Sequence, residues 1–294
     1  MARRFVTALC LISVFVLWLS TPLDGAVDTG KASLSSDESA AVMIDADTGS
    51  VLFSKNQGRV LAPASLTKLM TALLVVEKDK LSSTVRVGRE VFGVDGSVLG
   101  LQPGDRITVQ NLLYGLLVHS SNDAANALAV FTAGSQDSFV GMMNSRAQAL
   151  GLVSTHFVNP SGLPAPSHVS SARDIALLVR SVLQNPLIRT ITSTKDTQLT
   201  WQDKKGRTRR ISLENTNQLL GLYPGVTGVK TGTTTAAGQC LITFSQWDAG
   251  EVILVLLKST NRYAESTVYL DRTYAQLQLG RAGSLLLQKS LLGF

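Results

Sequence analysis

Strand-like segments occur at both ends of this 294-residue chain, and helix-like segments lie between them. Near the start, apolar residues 41–44 and 51–53 flank Asp47-Thr48-Gly49, a tripeptide typical of a hairpin turn. Near the end, the pattern predicts three successive antiparallel strands, at 230–233, 239–246 and 251–258. The two groups together predict one antiparallel sheet built from both ends of the chain.

Between these strands, apolar residues recur at the spacing of amphipathic helices. In the segment 65–77 they are Leu66, Leu69, Met70, Leu73 and Leu74. Further helices are predicted at 109–119, at 122–131, at 135–150, from Ser170 or Ser171 through 179, and at 263–279. The predicted fold class is therefore α+β, with helices flanking the antiparallel sheet and a helical subdomain beside it.

The first 26 residues are predicted to be an export signal that is cleaved near Ala26. Arg3 and Arg4 precede an almost wholly apolar run at 5–19, and small residues follow it. This run is shorter than the roughly 20 residues of a membrane-spanning helix, and an uncleaved anchor is the alternative. We expect an exported, periplasmic or extracytoplasmic protein, with 27–37 as a linker and 38–294 as one domain.

The composition favours a globular domain in an anionic environment. Hydrophobic residues make up 45% of the chain, enough for a buried core, and the net charge is +6. A basic protein suits anionic cell-wall polymer or a phospholipid surface, whereas no basic motif with interleaved aromatic residues indicates nucleic acid. The basic stretch 204–210 is predicted to be a solvated hairpin tip. Its alternative role is weak association with cell wall or membrane.

Cysteine and histidine add no site chemistry to this pattern. Cys10 lies in the export signal, so Cys240 is the one cysteine of the mature chain, and it is predicted to be buried and unreactive. His119, His156 and His168 lack metal-ligand spacing, and none accompanies a G-x-S-x-G segment. We therefore predict no metal site, no cofactor and no serine–histidine mechanism.

The segment Ser65-Leu-Thr-Lys68 contains a candidate nucleophile and a candidate base. Three-residue spacing on a helix places both side chains on one face. A serine hydroxyl attacks only when a neighbouring base accepts its proton, and lysine serves as that base only when burial or another cation lowers its pKa. Lys230 would be that cation if its strand passed alongside. Alone, the tetrapeptide more often marks a serine beside an exposed lysine.

Two further motifs offer groups that bind and protonate a substrate. Ser120-Ser-Asn122 supplies a hydroxyl that can pass a proton to a leaving amine and an amide that can hold a substrate backbone; the alternative is a helix N-cap. Lys230-Thr-Gly232 supplies a cationic strand whose glycine permits close backbone approach; the alternative is an ordinary edge strand. The backbone N–H groups of Ser65 and Thr233 are predicted to form an oxyanion hole.

In this order the motifs resemble the S-x-x-K, S-x-N and K-T-G set of the low-molecular-mass penicillin-binding proteins, the D-alanyl-D-alanine carboxypeptidase family. The similarity extends to the segments 63–71, 159–163 and 223–232, and it covers residues 38–279. Ser121 stands where the family has glycine. The resemblance implies a β-lactamase/transpeptidase-like fold.

The resemblance also implies residue roles and partners. Ser65 would form the acyl-enzyme as terminal D-alanine leaves, Lys68 would be the general base, and Ser120 would relay a proton. The implied substrate-binding residues are Asn122, Lys230, Thr231, Gly232, Thr233 and Arg262, the arginine pairing with the terminal carboxylate. The implied partners are peptidoglycan stem peptides ending in D-Ala-D-Ala, with β-lactams as covalent inhibitors.

Three alternatives stay open at this point. A class A β-lactamase needs a glutamate for deacylation, but no clear E-x-x-x-N loop is present and Glu214-Asn215 are adjacent. A D,D-endopeptidase acting on cross-links uses the same motifs, although Arg262 argues for a free carboxyl terminus. A non-hydrolytic penicillin or stem-peptide receptor is the third.

Larger family members carry a second β-rich domain and a C-terminal amphipathic anchor. We expect no room for that domain within 38–294. The leucines between 285 and 294 are expected to end a helix packed on the sheet, with an interfacial membrane segment as the alternative.

Overall fold

The computed structural model describes residues 36–248 and 250–292. It describes the burial of side chains as far as Gln278. The predicted export signal, most of the predicted linker and the predicted packing of the 285–294 leucines lie outside this description. In chain order the described strands are β1 (Ala40–Asp45), β2 (Val51–Lys55), β3 (Thr84–Arg86), β4 (Arg106–Thr108), β5 (Asp196–Gln202), β6 (Thr208–Glu214), β7 (Val226–Thr234), β8 (Gly238–Trp247) and β9 (Gly250–Ser259). The α-helices are α1 (Lys68–Lys78), α2 (Val109–Leu117), α3 (Asn122–Ala133), α4 (Gln136–Ala149), α5 (Ala172–Val182), α6 (Pro186–Ser193) and α7 (Arg262–Leu292).

A five-stranded antiparallel sheet joins the two ends of the domain. Its strand order is β2-β1-β9-β8-β7, and the central pairing sets Val42 opposite Val255. Alternate residues of β1 point to opposite faces: Val42 and Ile44 enter the core shared with the helices, while Met43 enters a second core beneath α7. The predicted sheet and the α+β class are therefore confirmed, and β7 lies at an open edge of this sheet.

A second, four-stranded sheet was not predicted. Its order is β3-β4-β5-β6, and β4 meets β5 through a single paired position, Arg106 opposite Gln202. Strands of three residues, such as β3 and β4, are too short to show an alternating pattern. The basic stretch does form a hairpin, but Arg209 and Arg210 lie within β6, so only 203–207 form the tip.

The helical subdomain is built around α1. Nearly every residue from Lys68 to Val75 is buried, because this helix packs against α2, α3, α4 and α5. Polar caps begin the surrounding helices: Thr108, Ser135 and Ser171 accept hydrogen bonds from backbone N–H groups of α2, α4 and α5. Helix α6 is short and was not predicted, although its Asn185 cap followed by Pro186 is a typical helix start. In the described part of the chain, no helix is long and apolar enough to span a membrane.

Candidate active site

Ser65 lies in a 3₁₀ turn, Ala64–Thr67, that leads directly into α1. The turn is tightly enclosed. Ala64 has a left-handed backbone with φ of 47°, and a Cβ on Gly162 would lie 1.9 Å from the Ala64 carbonyl oxygen. Glycine at 162, itself at φ of 85°, is therefore what allows the 158–163 segment to press against the turn. The predicted helix over 65–77 is thus α-helical only from Lys68.

Lys68 is fully buried, and its Nζ contacts three oxygen atoms. It lies 2.9 Å from Ser65 Oγ, 2.6 Å from Asn122 Oδ1 and 2.6 Å from the carbonyl oxygen of Ser161. Burial is the largest cause that lowers the pKa of Lys68 well below its ordinary value. The positive charge of Lys230 lowers it further, and Asp123 opposes both.

These contacts determine what a neutral Lys68 can do. The Asn122 amide oxygen and the Ser161 carbonyl only accept hydrogen bonds, so each takes one of the two N–H bonds of the neutral amine. The remaining lone pair then points to the third partner, Ser65 Oγ, whose proton it can accept. Of the motif alternatives, an exposed lysine beside Ser65 is ruled out by this geometry.

The Ser120 motif occupies the junction between α2 and α3. Ser120 is 8% exposed and adopts a left-handed backbone, with φ of 65°. Asn122 is not a capping residue, because Ser121 is at the N-cap position and makes no side-chain cap bond. Instead the Asn122 amide bridges Lys68 and the carbonyl oxygen of Asp95, to which its Nδ2 donates at 2.7 Å. The helix-cap alternative for Asn122 is therefore wrong.

Asp123 fixes the loop that faces this junction. Its carboxylate accepts hydrogen bonds from the backbone N–H groups of Leu99, Gly100 and Leu101 at 2.9 to 3.1 Å. Asp123 is also the anion that partly offsets the burial of Lys68.

Strand β7 brings Lys230 and Gly232 to the same site. Lys230 is 1% exposed, donates to the carbonyl oxygen of Thr231 at 2.9 Å, and has a pKa lowered to about 7 by burial and by Arg262. It is therefore not an ordinary exposed edge-strand lysine. A Cβ on Gly232 would lie 2.9 Å from the Ser65 backbone nitrogen. The strand backbone thus passes directly beside the Ser65 N–H, next to the predicted oxyanion donor Thr233.

Thr231 is held by Thr216, a residue that the sequence analysis did not single out. Their hydroxyl oxygens lie 2.6 Å apart, and the Thr216 carbonyl oxygen accepts from the Tyr263 hydroxyl at 3.0 Å. The Thr216 N–H in turn donates to the carbonyl oxygen of Val118 at 3.2 Å, two residues before Ser120. Thr216 therefore links β7 to the α2–α3 junction. It carries no local signature, because its position depends on tertiary structure.

Arg262 begins α7 and reaches across the end of β7. Its Nη1 donates to the Gly232 carbonyl oxygen and to Thr233 Oγ1, both at 2.9 Å, and to the Cys240 carbonyl oxygen at 3.2 Å. The guanidinium is thereby fixed beside Thr233, where it also lowers the pKa of Lys230. These contacts connect six of the nine predicted site residues: Ser65, Lys68, Asn122, Gly232, Thr233 and Arg262. Lys230 and Thr231 lie on the same strand as Gly232, and Ser120 lies two residues before Asn122.

His168 braces the nucleophile turn and was assigned no role from the sequence. The Val158 N–H donates to His168 Nδ1 at 3.0 Å, so the proton of the neutral ring is on Nε2, 2.8 Å from Thr67 Oγ1. Burial lowers the pKa of His168 to about 4. The Thr71 hydroxyl adds a second tie by donating to the Pro160 carbonyl oxygen. The segment after Phe157 thus positions α1 as well as Lys68.

Cys240 is buried, and burial raises the pKa of its thiol to about 11. A thiolate is therefore scarce at neutral pH, which matches the prediction of an unreactive thiol. Among the described residues, no group of three or more His, Cys, Asp or Glu side chains is suited to hold a metal ion.

Several known proteins are similar to this chain in sequence. A family model described as D-alanyl-D-alanine carboxypeptidase matches residues 27–261. DacF of Bacillus subtilis, a D-alanyl-D-alanine carboxypeptidase, is 37% identical over 94% of this chain and 72% of its own length. DacC of Escherichia coli, of the same description, is 36% identical over 84% of this chain and 63% of its own length.

Solved structures are similar to this chain as well. The crystal structure of the Streptomyces K15 DD-transpeptidase matches with a TM-score of 0.76 and 31% identity, over 80% of this chain and 96% of that one. The chain therefore belongs to the D-alanyl-D-alanine carboxypeptidase family.

Proposed function

We propose that this protein is a serine-type D-Ala-D-Ala carboxypeptidase that removes the terminal D-alanine from peptidoglycan stem peptides. One observation carries the proposal: the buried Lys68 Nζ has two carbonyl-type acceptors and Ser65 Oγ as its three neighbours. Family membership supports the same activity.

Acylation begins with transfer of the Ser65 proton to Lys68. Ser65 Oγ then bonds to the carbonyl carbon of the penultimate D-alanine, and the negative charge on the carbonyl oxygen is stabilised by the N–H groups of Ser65 and Thr233. Ser120 gives its hydroxyl proton to the nitrogen of the leaving D-alanine as the peptide bond breaks. The proton held by Lys68 then restores the Ser120 hydroxyl, which leaves Lys68 neutral for the attack of water. Water then attacks the ester, releases the shortened peptide and restores the Ser65 hydroxyl.

The substrate lies as an added strand along the open edge of β7, an arrangement that the close approach of Gly232 to Ser65 supports. Asn122, Lys230 and Thr231 hold its backbone, and Arg262 faces its terminal carboxylate. A β-lactam occupies the same place and acylates Ser65. The signal at 1–26 directs export of the protein, in keeping with a cell-wall substrate.

The alternatives differ chiefly in the substrate that donates the acyl group and in the acceptor that takes it. The similar Streptomyces K15 protein is a DD-transpeptidase, and a transpeptidase passes the acyl group to an amine rather than to water. An endopeptidase attacks cross-linked chains, and a receptor forms no released product. A class A β-lactamase is disfavoured, because Glu214 and Asn215 do not form the deacylating loop of that class. The Asn215 amide donates to the carbonyl oxygens of Thr192 and Thr194, and Glu214 is exposed at the end of β6.

The test incubates the mature protein with a diacyl-Lys-D-Ala-D-Ala peptide and quantifies free D-alanine, with a Ser65→Ala variant as the control. Release by the wild type alone supports the proposal. A folded wild type that forms a covalent penicillin adduct but releases no D-alanine points to the endopeptidase or receptor. Adding glycine as an amine acceptor identifies transpeptidation by the new peptide product.

A further inference from the structure

The outer face of the four-stranded sheet carries an unfavourable pair of like charges. Arg86 on β3 is directly opposite Arg106 on β4, and both side chains are exposed. Like charges at directly opposed positions destabilise a sheet. Neither arginine forms an ion pair within the part of the chain that the structure describes. The pairing lowers the stability of the sheet slightly, and an anion bound between the two arginines would offset their repulsion.

These arginines line a concave groove of about 690 Å³. Lys204, from the β5–β6 tip, adds a third positive charge. It packs over Gly104, where an added Cβ would lie 2.9 Å from the Lys204 Cβ. The one acidic lining residue, Asp203, is already paired with Arg207 at 2.7 Å. The groove is therefore strongly cationic, and none of its lining residues belongs to the catalytic site.

Neutral hydrogen-bonding groups complete the groove. They come from alternate positions of the four strands and from the start of α2, and are Thr84, Thr108, Asn111, Thr200, Gln202 and Thr208. Arg210, paired with Thr200, extends the same face. Trp201 is buried with its indole N–H on Asp105, so it offers no exposed ring for base stacking. This combination favours a non-aromatic polyanion over a nucleic acid.

We propose that this groove binds a linear, non-aromatic polyanion of the cell wall through its phosphodiester or carboxylate groups. Arginine guanidinium groups match both anions with paired hydrogen bonds. A concave groove fits an extended polymer better than it fits a flat membrane surface. The choice of a wall polymer rests on the proposed cell-wall substrate. Binding here would hold the enzyme close to its substrate without occupying the catalytic site.

The test titrates the full chain with poly(glycerol phosphate) and, separately, with poly(γ-glutamate) by calorimetry. The double variant Arg86→Gln/Arg106→Gln is compared with Arg173→Gln/Arg272→Gln, which removes the same charge from exposed positions elsewhere. We expect about tenfold or greater weakening in the first variant and less than about twofold in the second, with binding that weakens steeply as salt rises. The polymer bound more tightly identifies the anionic group.

Three results would overturn the proposal: no binding by the wild type, equal weakening in both double variants, or tighter binding of a single-stranded oligonucleotide than of either polymer. Misfolding is excluded by a melting temperature that is unchanged or raised in Arg86→Gln/Arg106→Gln, because the repulsion is removed. D-alanine release from a soluble peptide should stay unchanged in this variant. That readout separates failure of the groove from failure of the proposed activity.

Discussion

At the scale of single residues, the proposed chemistry depends on the protonation state of one amine, that of Lys68. Lys68 is placed so that two of its hydrogen-bond directions are occupied by oxygens that can only accept. To act as a base Lys68 has to lose a proton, and burial beside Lys230 favours this loss because it lowers the pKa of Lys68 well below its ordinary value. In the proposed mechanism Lys68 acts as a base, and its positive charge is not used.

Replacing Lys68 with arginine tests this view. The guanidinium keeps a positive charge but does not lose a proton in proteins, so acylation by penicillin and release of D-alanine should both fall by about a thousandfold. Lys78→Arg, an exposed change at the end of the same helix, is the control and should behave as the wild type. Retained activity in Lys68→Arg would mean that Lys68 acts only as a charge.

His168 should make the fold sensitive to acid. Its pKa is lowered to about 4 in the folded protein, against about 6.5 in an unfolded chain. Between these values the unfolded state binds more protons, so stability is full above about pH 6.5 and falls as the pH drops toward 4. The loss should reach about 3 kcal/mol. It is measured by denaturant unfolding of wild type and His168→Gln across this range.

The His168→Gln variant should lose most of that pH dependence, and the difference between the two curves removes the contribution of carboxylates elsewhere. His156→Gln should retain most of it, because burial is a larger cause of the pKa shift than the charge of His156. Parallel curves for wild type and His168→Gln would contradict the assignment.

At the scale of elements, the site depends on close contact between three backbones: the Ala64–Thr67 turn, strand β7 and the segment 158–163. Gly232 and Gly162 are the positions where a side chain would collide with the turn. Catalytic geometry is therefore a property of loops and strands that press on α1, as well as of the reactive side chains.

A pair of glycine substitutions separates this packing from general effects of alanine. Gly162→Ala forces a Cβ onto the Ala64 carbonyl oxygen at a left-handed backbone position, and should cost about 2–4 kcal/mol of stability and abolish acylation. Gly141→Ala in α4 meets no atom within 4 Å and should stabilise the protein by about 0.5–1 kcal/mol. Urea unfolding and penicillin labelling measure both. A Gly162→Ala protein that is as stable and as readily labelled as Gly141→Ala would show that the Ala64–Thr67 turn moves to accommodate the added methyl group.

The elements also show what a sequence can and cannot reveal here. The strands β8 and β9 were predictable because each is a long, largely apolar run, and the helices around Ser120 were predictable because their apolar residues recur at helical spacing. The strands β3 and β4 were not, because three residues carry no period. In the site, the motifs predicted which side chains lie together, whereas the Ser161 carbonyl oxygen that accepts from Lys68 was not predicted, because a backbone oxygen has no sequence signature.

At the scale of the whole molecule, the two sheets should differ in stability. Strand β9 is the middle of five strands and is buried on both faces, whereas β4 and β5 share one paired position. In native-state hydrogen exchange, amides of β9 should exchange only through global unfolding, and those of β3 and β4 much sooner. Equal protection in the two sheets would show that they unfold together.

The pairing of β1 with β9 has a further consequence for how the enzyme is made. The first strand of the domain finds its partner only near the end of the chain, more than two hundred positions later. Contacts so distant in sequence form slowly. During synthesis, Ser65 and Lys68 are present in the chain long before the Lys230 strand can pair with its neighbours in the sheet. The polypeptide therefore cannot assemble this site before residues 250–259 have been synthesised.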